Sequence, residues 1–252
     1  SVLLAVSMAV LGMASAGRVT WQAGLALLTA LVINLVWEMR TASENPTEVE
    51  EIDESERAPA PVAAAKLAAG LGLLVVGSQV LVKGSIAAAT ALGVSETVIG
   101  LTIVAAGTSM PELVTSLVAA YRGKADLAIG NVVGSNLLNQ LVILGLCAVV
   151  SGGRGLGVDP VIVSRDLPIM VATTLACLPI FWTKGVISRR EGWLLFGLYV
   201  LYLAEQVLAE TAGGSVLSQY RFVVLVAVIP LVLVFLIWQV LRWQDMRHAR
   251  AD

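Results

Sequence analysis

Six consecutive residues, Gly107-Thr108-Ser109-Met110-Pro111-Glu112, interrupt a long apolar run with two hydroxyls, a proline and a carboxylate. A carboxylate near the middle of a bilayer costs several kcal/mol, so Glu112 needs a cation or a proton to be stable there. Gly107 permits backbone angles that other residues resist, and Pro111 removes a backbone donor and crowds the preceding turn. Together they predict a broken helix at mid-membrane, with the carbonyls of Ala105 and Thr108 freed toward a cavity. Ser109 and Glu112 are three apart and share one helical face. A second polar run follows in the next apolar segment, Gly130-Asn131-Val132-Val133-Gly134-Ser135-Asn136-Leu137-Leu138-Asn139. Asn131, Ser135 and Asn139 recur every four residues as an oxygen-bearing stripe, and Gly130 and Gly134 would admit a close neighbouring helix. Carboxylate, hydroxyl, amide and carbonyl oxygens are hard ligands, suited to calcium or sodium rather than zinc or copper.

Each residue also has a plainer role open to it. A buried Ser or Thr in a membrane helix commonly bonds its own backbone, which would occupy Ser135. Asn131 and Asn136 could join helices by hydrogen bonds, and the Gly-Pro break could serve packing alone.

The elements that must hold these groups are membrane helices. The chain of 252 residues is 58% hydrophobic and only 13% charged, and its mean hydropathy is +0.87. Soluble domains carry about a quarter charged residues, so a polytopic, all-α membrane protein is expected. Spans of the required length, about 20 residues, read near 1–16, 20–38, 62–92, 97–120, 126–150, 162–182, 191–209 and 220–241. That is about eight transmembrane helices, and none shows the alternation of a barrel strand. Placing the polar stretch 39–61 in the cytoplasm puts eleven Lys and Arg inside and five outside, which favours that orientation. Trp21, Trp37, Trp182, Trp193, Trp238 and Trp243 fall near span ends, as an aromatic belt would. Lys83 reads as snorkelling to the surface, Asp166 as a cap before Pro168, and Glu96 as interfacial.

Other chemistries are excluded or left without residues. Cys147 and Cys177 lie in apolar segments and make no soft-metal site. No basic groove with aromatics supports nucleic-acid binding. The only histidine, His248, lies outside the predicted spans, so a His-dependent hydrolase site is absent and no enzyme activity is expected.

The organisation is repetitive. Residues 39–61 carry seven carboxylates ahead of Pro59 and Pro61 and lack EF-hand spacing, so they read as a solvated linker. Gly17-Arg18-Val19-Thr20-Trp21-Gln22-Ala23-Gly24 aligns with Gly185-Val186-Ile187-Ser188-Arg189-Arg190-Glu191-Gly192, 168 residues on. The expected domains are therefore 1–38, the last two helices of a first half; 39–61, the linker; 62–209, a complete five-helix second half; and 210–252, an added helix with a basic tail. On this alignment about a hundred residues of the first half are expected ahead of Ser1. Five is odd, so tandem units insert with opposite orientation, the inverted-repeat plan of many secondary transporters.

The run Leu92-Gly93-Val94-Ser95-Glu96-Thr97-Val98-Ile99-Gly100-Leu101-Thr102-Ile103-Val104-Ala105-Ala106-Gly107-Thr108-Ser109-Met110-Pro111-Glu112-Leu113 resembles the alpha-repeat of the cation/calcium exchanger superfamily, specifically its prokaryotic sodium/calcium exchangers. The resemblance continues through Asp126-Leu127-Ala128-Ile129-Gly130-Asn131 to Gly134-Ser135-Asn136-Leu137-Leu138-Asn139. It implies ten helices in two inverted halves, with ion sites where two alpha-repeats face each other. By motif position Glu112 would be the calcium carboxylate shared with sodium, and Thr108 and Ala105 would offer main-chain carbonyls. Ser109 and Ser135 would line sodium positions, and Asn139 would complete the cluster. The family carries Asn or Asp at that last position, which leaves potassium dependence open; Leu138 stands where Phe is common. The resemblance also implies that the long helix at 62–92 slides to alternate access; at roughly 46 Å it exceeds a core of about 30 Å and must tilt or bend.

The expected function is sodium/calcium antiport at this mid-membrane carboxylate, in the cell (inner) membrane, with calcium and sodium as transported ions and no cofactor. Calcium/proton exchange, potassium-dependent exchange and a non-transporting scaffold are the alternatives. One alpha-repeat supplies half a site, so a missing N-terminal half or a second copy is the expected partner.

Overall fold

The computed structural model describes residues 2–44, 59–184 and 187–248. Apolar stretches without strand alternation become helices, because in lipid every backbone group must be bonded within its own segment. In chain order these are α1 (Val2–Ala14), α2 (Trp21–Glu44), α3 (Ala60–Ala91), α4 (96–108), α5 (Met110–Tyr121), α6 (Ala125–Val150), α7 (160–184), α8 (Arg189–Thr211) and α9 (214–248). Two short strands, β1 (Arg18–Val19) and β2 (Leu156–Gly157), pair antiparallel with Arg18 opposite Gly157.

The all-α membrane architecture is as expected, with a smaller number of spans. Among the described residues six helices are long and apolar enough to cross a bilayer, and the bent pair Thr102–Thr108 and Met110–Tyr121 makes a seventh. The eighth expected span, 1–16, gives only the 13 residues of α1, short of the about 20 that a crossing needs. α2 runs on to Glu44, beyond the expected span end at 38, because nothing in 39–44 breaks a helix. Most of the expected linker, the side chains of Trp182 and Trp243, and those of the basic tail lie outside the described residues.

Both ends of the α3-to-α6 stretch turn on glycines. Gly93 follows α3 with φ 77°, and Gly123 follows α5 with φ 76°. At each, the next residue's N–H reaches back to close the helix: Val94 to Ala89 O at 3.0 Å and Lys124 to Ala119 O at 2.9 Å. Asp166 is not the cap it was expected to be. It lies within a wide π turn, Ile162–Asp166, and pairs with Arg165 at 2.8 Å. The cap is Asp159, whose Oδ1 accepts from Val161 N–H at 2.7 Å, because the helix starts upstream of Pro168.

The described chain forms two compact units. The first comprises Ser1–Leu71 and Ile129–Leu175. Its main packing joins α2 to the second part of α6. Val6, Val10, Leu27, Leu137 and Leu141 form one buried cluster, and Ala14, Val19 and Ala148 form another beside the strand pair. The second unit comprises Gly72–Ala128 and Ala176–Asp252. There α8 packs on the start of α4 and on the start of α9. Arg221 on α9 reaches Glu205 on α8 at 2.9 Å, and Tyr220 Oη donates to Leu201 O at 2.6 Å.

Candidate cation site

The break falls at Ser109, two residues before Pro111, while Gly107 stays helical. The arms Thr102–Thr108 and Met110–Tyr121 bend by 56°, and Ser109 leaves helical geometry at φ −94°, ψ 8°. Pro111 sits in the first turn of α5, where its missing N–H costs nothing because that turn has no intrahelical acceptor. A π turn, Gly100–Val104, widens α4 just before Ala105. Such turns concentrate at functional sites, because the extra residue per turn releases carbonyls from regular pairing.

Four expected site residues, Ala105, Thr108, Ser109 and Glu112, flank this break in one compact unit. Ser109-Met110-Pro111-Glu112 has the spelling of a capping box, yet Ser109 makes no side-chain cap bond, so its hydroxyl does not close α5. Thr108 Oγ1 donates to Ala105 O at 2.9 Å, which directs that hydroxyl's proton inward and leaves its lone pairs outward. Glu112 lies in the first turn of α5, at the positive end of the helix dipole, worth about 0.3–1 kcal/mol to a carboxylate. The residue is half-buried and its Oε2 has no access to solvent. Ser116, one turn further on the Glu112 face, is buried as well. Sequence reading passed over it, although its i+4 spacing from Glu112 was visible.

The remaining two, Ser135 and Asn139, belong to the other unit and stand on α6. Ser135 Oγ donates to Val132 O at 3.1 Å, and Asn136 Nδ2 donates to the same carbonyl at 2.9 Å. The local role weighed for Ser135 is therefore realised for its proton, while its lone pairs stay free to accept. Asn139 is exposed and opens a second π turn, Asn139–Ile143. Beside it, Gln140 Nε2 donates to the buried Ser7 Oγ at 3.1 Å, a long-range bond that no local pattern announces. Gly130 and Gly134 receive no close neighbour: an added β-carbon would meet nothing within 4 Å at either.

Among the described residues no three His, Cys, Asp or Glu side chains cluster, so a cation at this break would be held by carbonyls, hydroxyls and a single carboxylate. That donor set suits hard, partly dehydrated ions.

A family model described as "Sodium/calcium exchanger protein" matches residues 62–208. The chain belongs to this family. Members of the sodium/calcium exchanger family are transporters rather than enzymes. The chain is similar to the putative antiporter CaxA of Alkalimonas amylolytica, 37% identical over 177 residues, covering 68% of this chain and 54% of that protein. It is also similar to the sodium/calcium exchanger MaX1 of Methanosarcina acetivorans, 41% identical over 130 residues, with 52% and 36% covered. Among solved structures it is similar to the sodium-calcium exchanger NCX_Mj, with a TM-score of 0.55, 31% identity, and 81% of this chain and 65% of that one covered. The chain spans about half the length of the first curated relatives it matches, from 36% of MaX1 to 58% of the membrane protein MJ0091 of Methanocaldococcus jannaschii, and 19% of the sodium/potassium/calcium exchanger 2 of Gallus gallus. It is a multi-pass membrane protein of the exchanger family.

Proposed function

We propose that the complete polypeptide exchanges sodium for calcium across the cell (inner) membrane by alternating access, with Glu112 as the shared carboxylate. The carrying observation is Glu112 itself: a carboxylate in the first turn after a 56° break in an apolar span, with one oxygen shut off from solvent. Only a bound cation or proton makes that placement affordable in lipid. Ser109, the carbonyls of Ala105 and Thr108, and Ser135 and Asn139 complete the oxygen set in this reading, with 62–209 as one half of the transporter, 39–61 as a linker and 210–252 as an added helix. One alpha-repeat provides half of the oxygens, so a second half completes the site.

Competition couples the ions. Calcium and sodium both need the Glu112 oxygens, so each displaces the other, and several sodium ions entering per calcium leaving would harness the membrane potential at about 2.3 kcal/mol per net charge per 100 mV. α3, with 32 residues, is about 48 Å long against a core of about 30 Å, so it must tilt or bend to fit, and a tilted helix suits a sliding gate.

The test is sodium-gradient-driven calcium uptake into vesicles carrying the complete polypeptide. Glu112→Gln is expected to reduce it to background, and wild-type uptake by that variant would overturn the assignment. Potassium-dependent exchange is the second reading. It is favoured by similarity to the sodium/potassium/calcium exchanger 2 of Gallus gallus, 36% identical over 129 residues. Uptake that needs added potassium selects it, and uptake driven by a proton gradient without sodium selects calcium/proton exchange.

A further inference from the structure

α8 changes character along its length. In its first half Trp193, Phe196, Tyr199 and Val200 are exposed, whereas from 201 to 209 no residue is. Within one compact unit α8 packs on the start of α4, including the π turn Gly100–Val104, and on the start of α9. At the start of α4, Val98 and Ile99 are buried. The contact with α9 is polar. Arg221 brings Nε and Nη2 each to 2.9 Å from Glu205 Oε1, and Tyr220 Oη donates to Leu201 O at 2.6 Å. Next to Glu205, Gln206 is 4% exposed and donates to Tyr202 Oη at 2.7 Å. Glu205 and Arg221 both lie within apolar spans, Arg189–Thr211 and Gly214–Trp238.

Apolar surfaces gain little by meeting one another in lipid, so close packing and hydrogen bonds decide which helices stay together. A carboxylate and a guanidinium within apolar spans are stable as a pair and costly apart. The pair therefore fixes α9 to α8 at one height. The family match ends at residue 208, so Arg221 and the rest of α9 lie beyond it. A π turn is a single-turn irregularity, and a neighbour packed on it helps to set its shape. In the turn that α8 touches, Thr102 Oγ1 donates to Val98 O at 2.6 Å, and Ala105 follows directly. We propose that α9 braces the cation site: Arg221, through Glu205, holds α8 against this π turn and so fixes the Ala105 carbonyl. Arg221 and Glu205 are then positioning residues, a role that rests on the reading of Ala105 as a cation ligand.

The test measures sodium-driven calcium uptake against calcium concentration in vesicles carrying the complete polypeptide. Arg221→Gln is expected to raise the calcium concentration for half-maximal uptake about tenfold, the scale on which loss of a partner behind a metal ligand acts, with the maximal rate little changed. The reciprocal exchange, Arg221→Glu with Glu205→Arg, rebuilds the pair and is expected to return that concentration to within about twofold of wild type. An unshifted concentration in Arg221→Gln overturns the proposal, even where the melting temperature falls, because the pair is then structural only. A shift that the reciprocal exchange leaves in place also overturns it. Arg221→Lys keeps the charge but offers Glu205 one nitrogen in place of two. It is read in the same way where Arg221→Gln does not fold: a raised concentration supports the brace and an unchanged one overturns it. The two failures are distinguishable. Wild-type uptake by Glu112→Gln sinks the site assignment, whereas background uptake by Glu112→Gln with an unshifted Arg221→Gln sinks the brace alone.

Discussion

Gly107 and Val82 touch so closely that a β-carbon on Gly107 would lie 2.1 Å from Val82 Cγ2 and 3.3 Å from Val82 Cβ. The long helix α3 therefore bears directly on the break that carries the candidate carboxylate. A shift of α3 along its axis changes what faces Gly107, which ties movement of that helix to the geometry of the break. Gly107→Ala is expected to lower the melting temperature of the detergent-solubilised protein, with an overpacking cost of about 1–3 kcal/mol. Val82→Ala removes both offending methyls and leaves Cβ, so the double variant is expected to melt near wild type. Additive losses in the two single variants would show that the contact is not what limits Gly107.

The two repeat-related glycines should respond in opposite ways. At Gly24 an added methyl meets backbone, Gly145 O at 2.7 Å and Val149 N at 2.9 Å, which cannot rotate aside. Gly24→Ala is expected to separate α2 from α6 and destabilise by about 1–3 kcal/mol. Gly192→Ala, in open space within this chain, is expected to be neutral or to stabilise by up to about 1 kcal/mol through helix propensity. Thermal melts of the two variants side by side are sufficient.

Much of this was legible because lipid leaves few options. The span expected at 62–92 is α3 at 60–91, and that at 191–209 lies within α8, since apolar length alone sets them. Gly107 is itself helical, and its close approach to Val82 left no mark in the sequence, but the break was legible from Pro111, which acts through covalent geometry. The π turns at Gly100–Val104 and Asn139–Ile143 were not, because one extra residue in a turn leaves no mark on an all-apolar pattern. Nor was the inward turn of the Ser135 and Thr108 hydroxyls. A hydroxyl can bond its own helix or a ligand, and the sequence is the same for both. Asp166 misled because Pro168 looked like a helix start, whereas the helix begins at 160 and absorbs the proline beyond a π turn.

Pro111 should matter to transport more than to stability. It occupies the first turn of α5, where proline is tolerated, so Pro111→Ala removes little native-state energy. It does restore an N–H, which lets the chain resume regular pairing with the carbonyls before Ser109. The 56° bend is expected to relax, withdrawing those carbonyls from any cation. The expected result is a melting temperature within a few degrees of wild type and calcium uptake reduced at least about tenfold, equivalent to about 1.4 kcal/mol. Full uptake by a well-folded Pro111→Ala protein would show that the bend is maintained by packing alone.

The bond between Gln140 and Ser7 makes the sharpest stability prediction, because Ser7 is fully buried and Gln140 half-buried. Ser7 is 0% exposed, and Gln140 Nε2 donates to its hydroxyl at 3.1 Å. Gln140 Oε1 is enclosed and has no hydrogen-bond partner among the described residues. Ser7→Ala takes away the acceptor of this half-buried amide, which costs about 0.5–1.5 kcal/mol. Replacing Gln140 with Leu as well removes the stranded polar group, and an apolar pair of similar shape is expected to recover most of the loss. Chemical or thermal unfolding of the four species gives the coupling energy between α1 and α6 directly. Asn139 adjoins this bond and opens the π turn of α6, so the same cycle measured by calcium uptake tells whether α1 positions that residue. Recovery of stability without recovery of uptake in the double variant is the expected outcome if the polar bond, rather than packing, sets the orientation of Asn139.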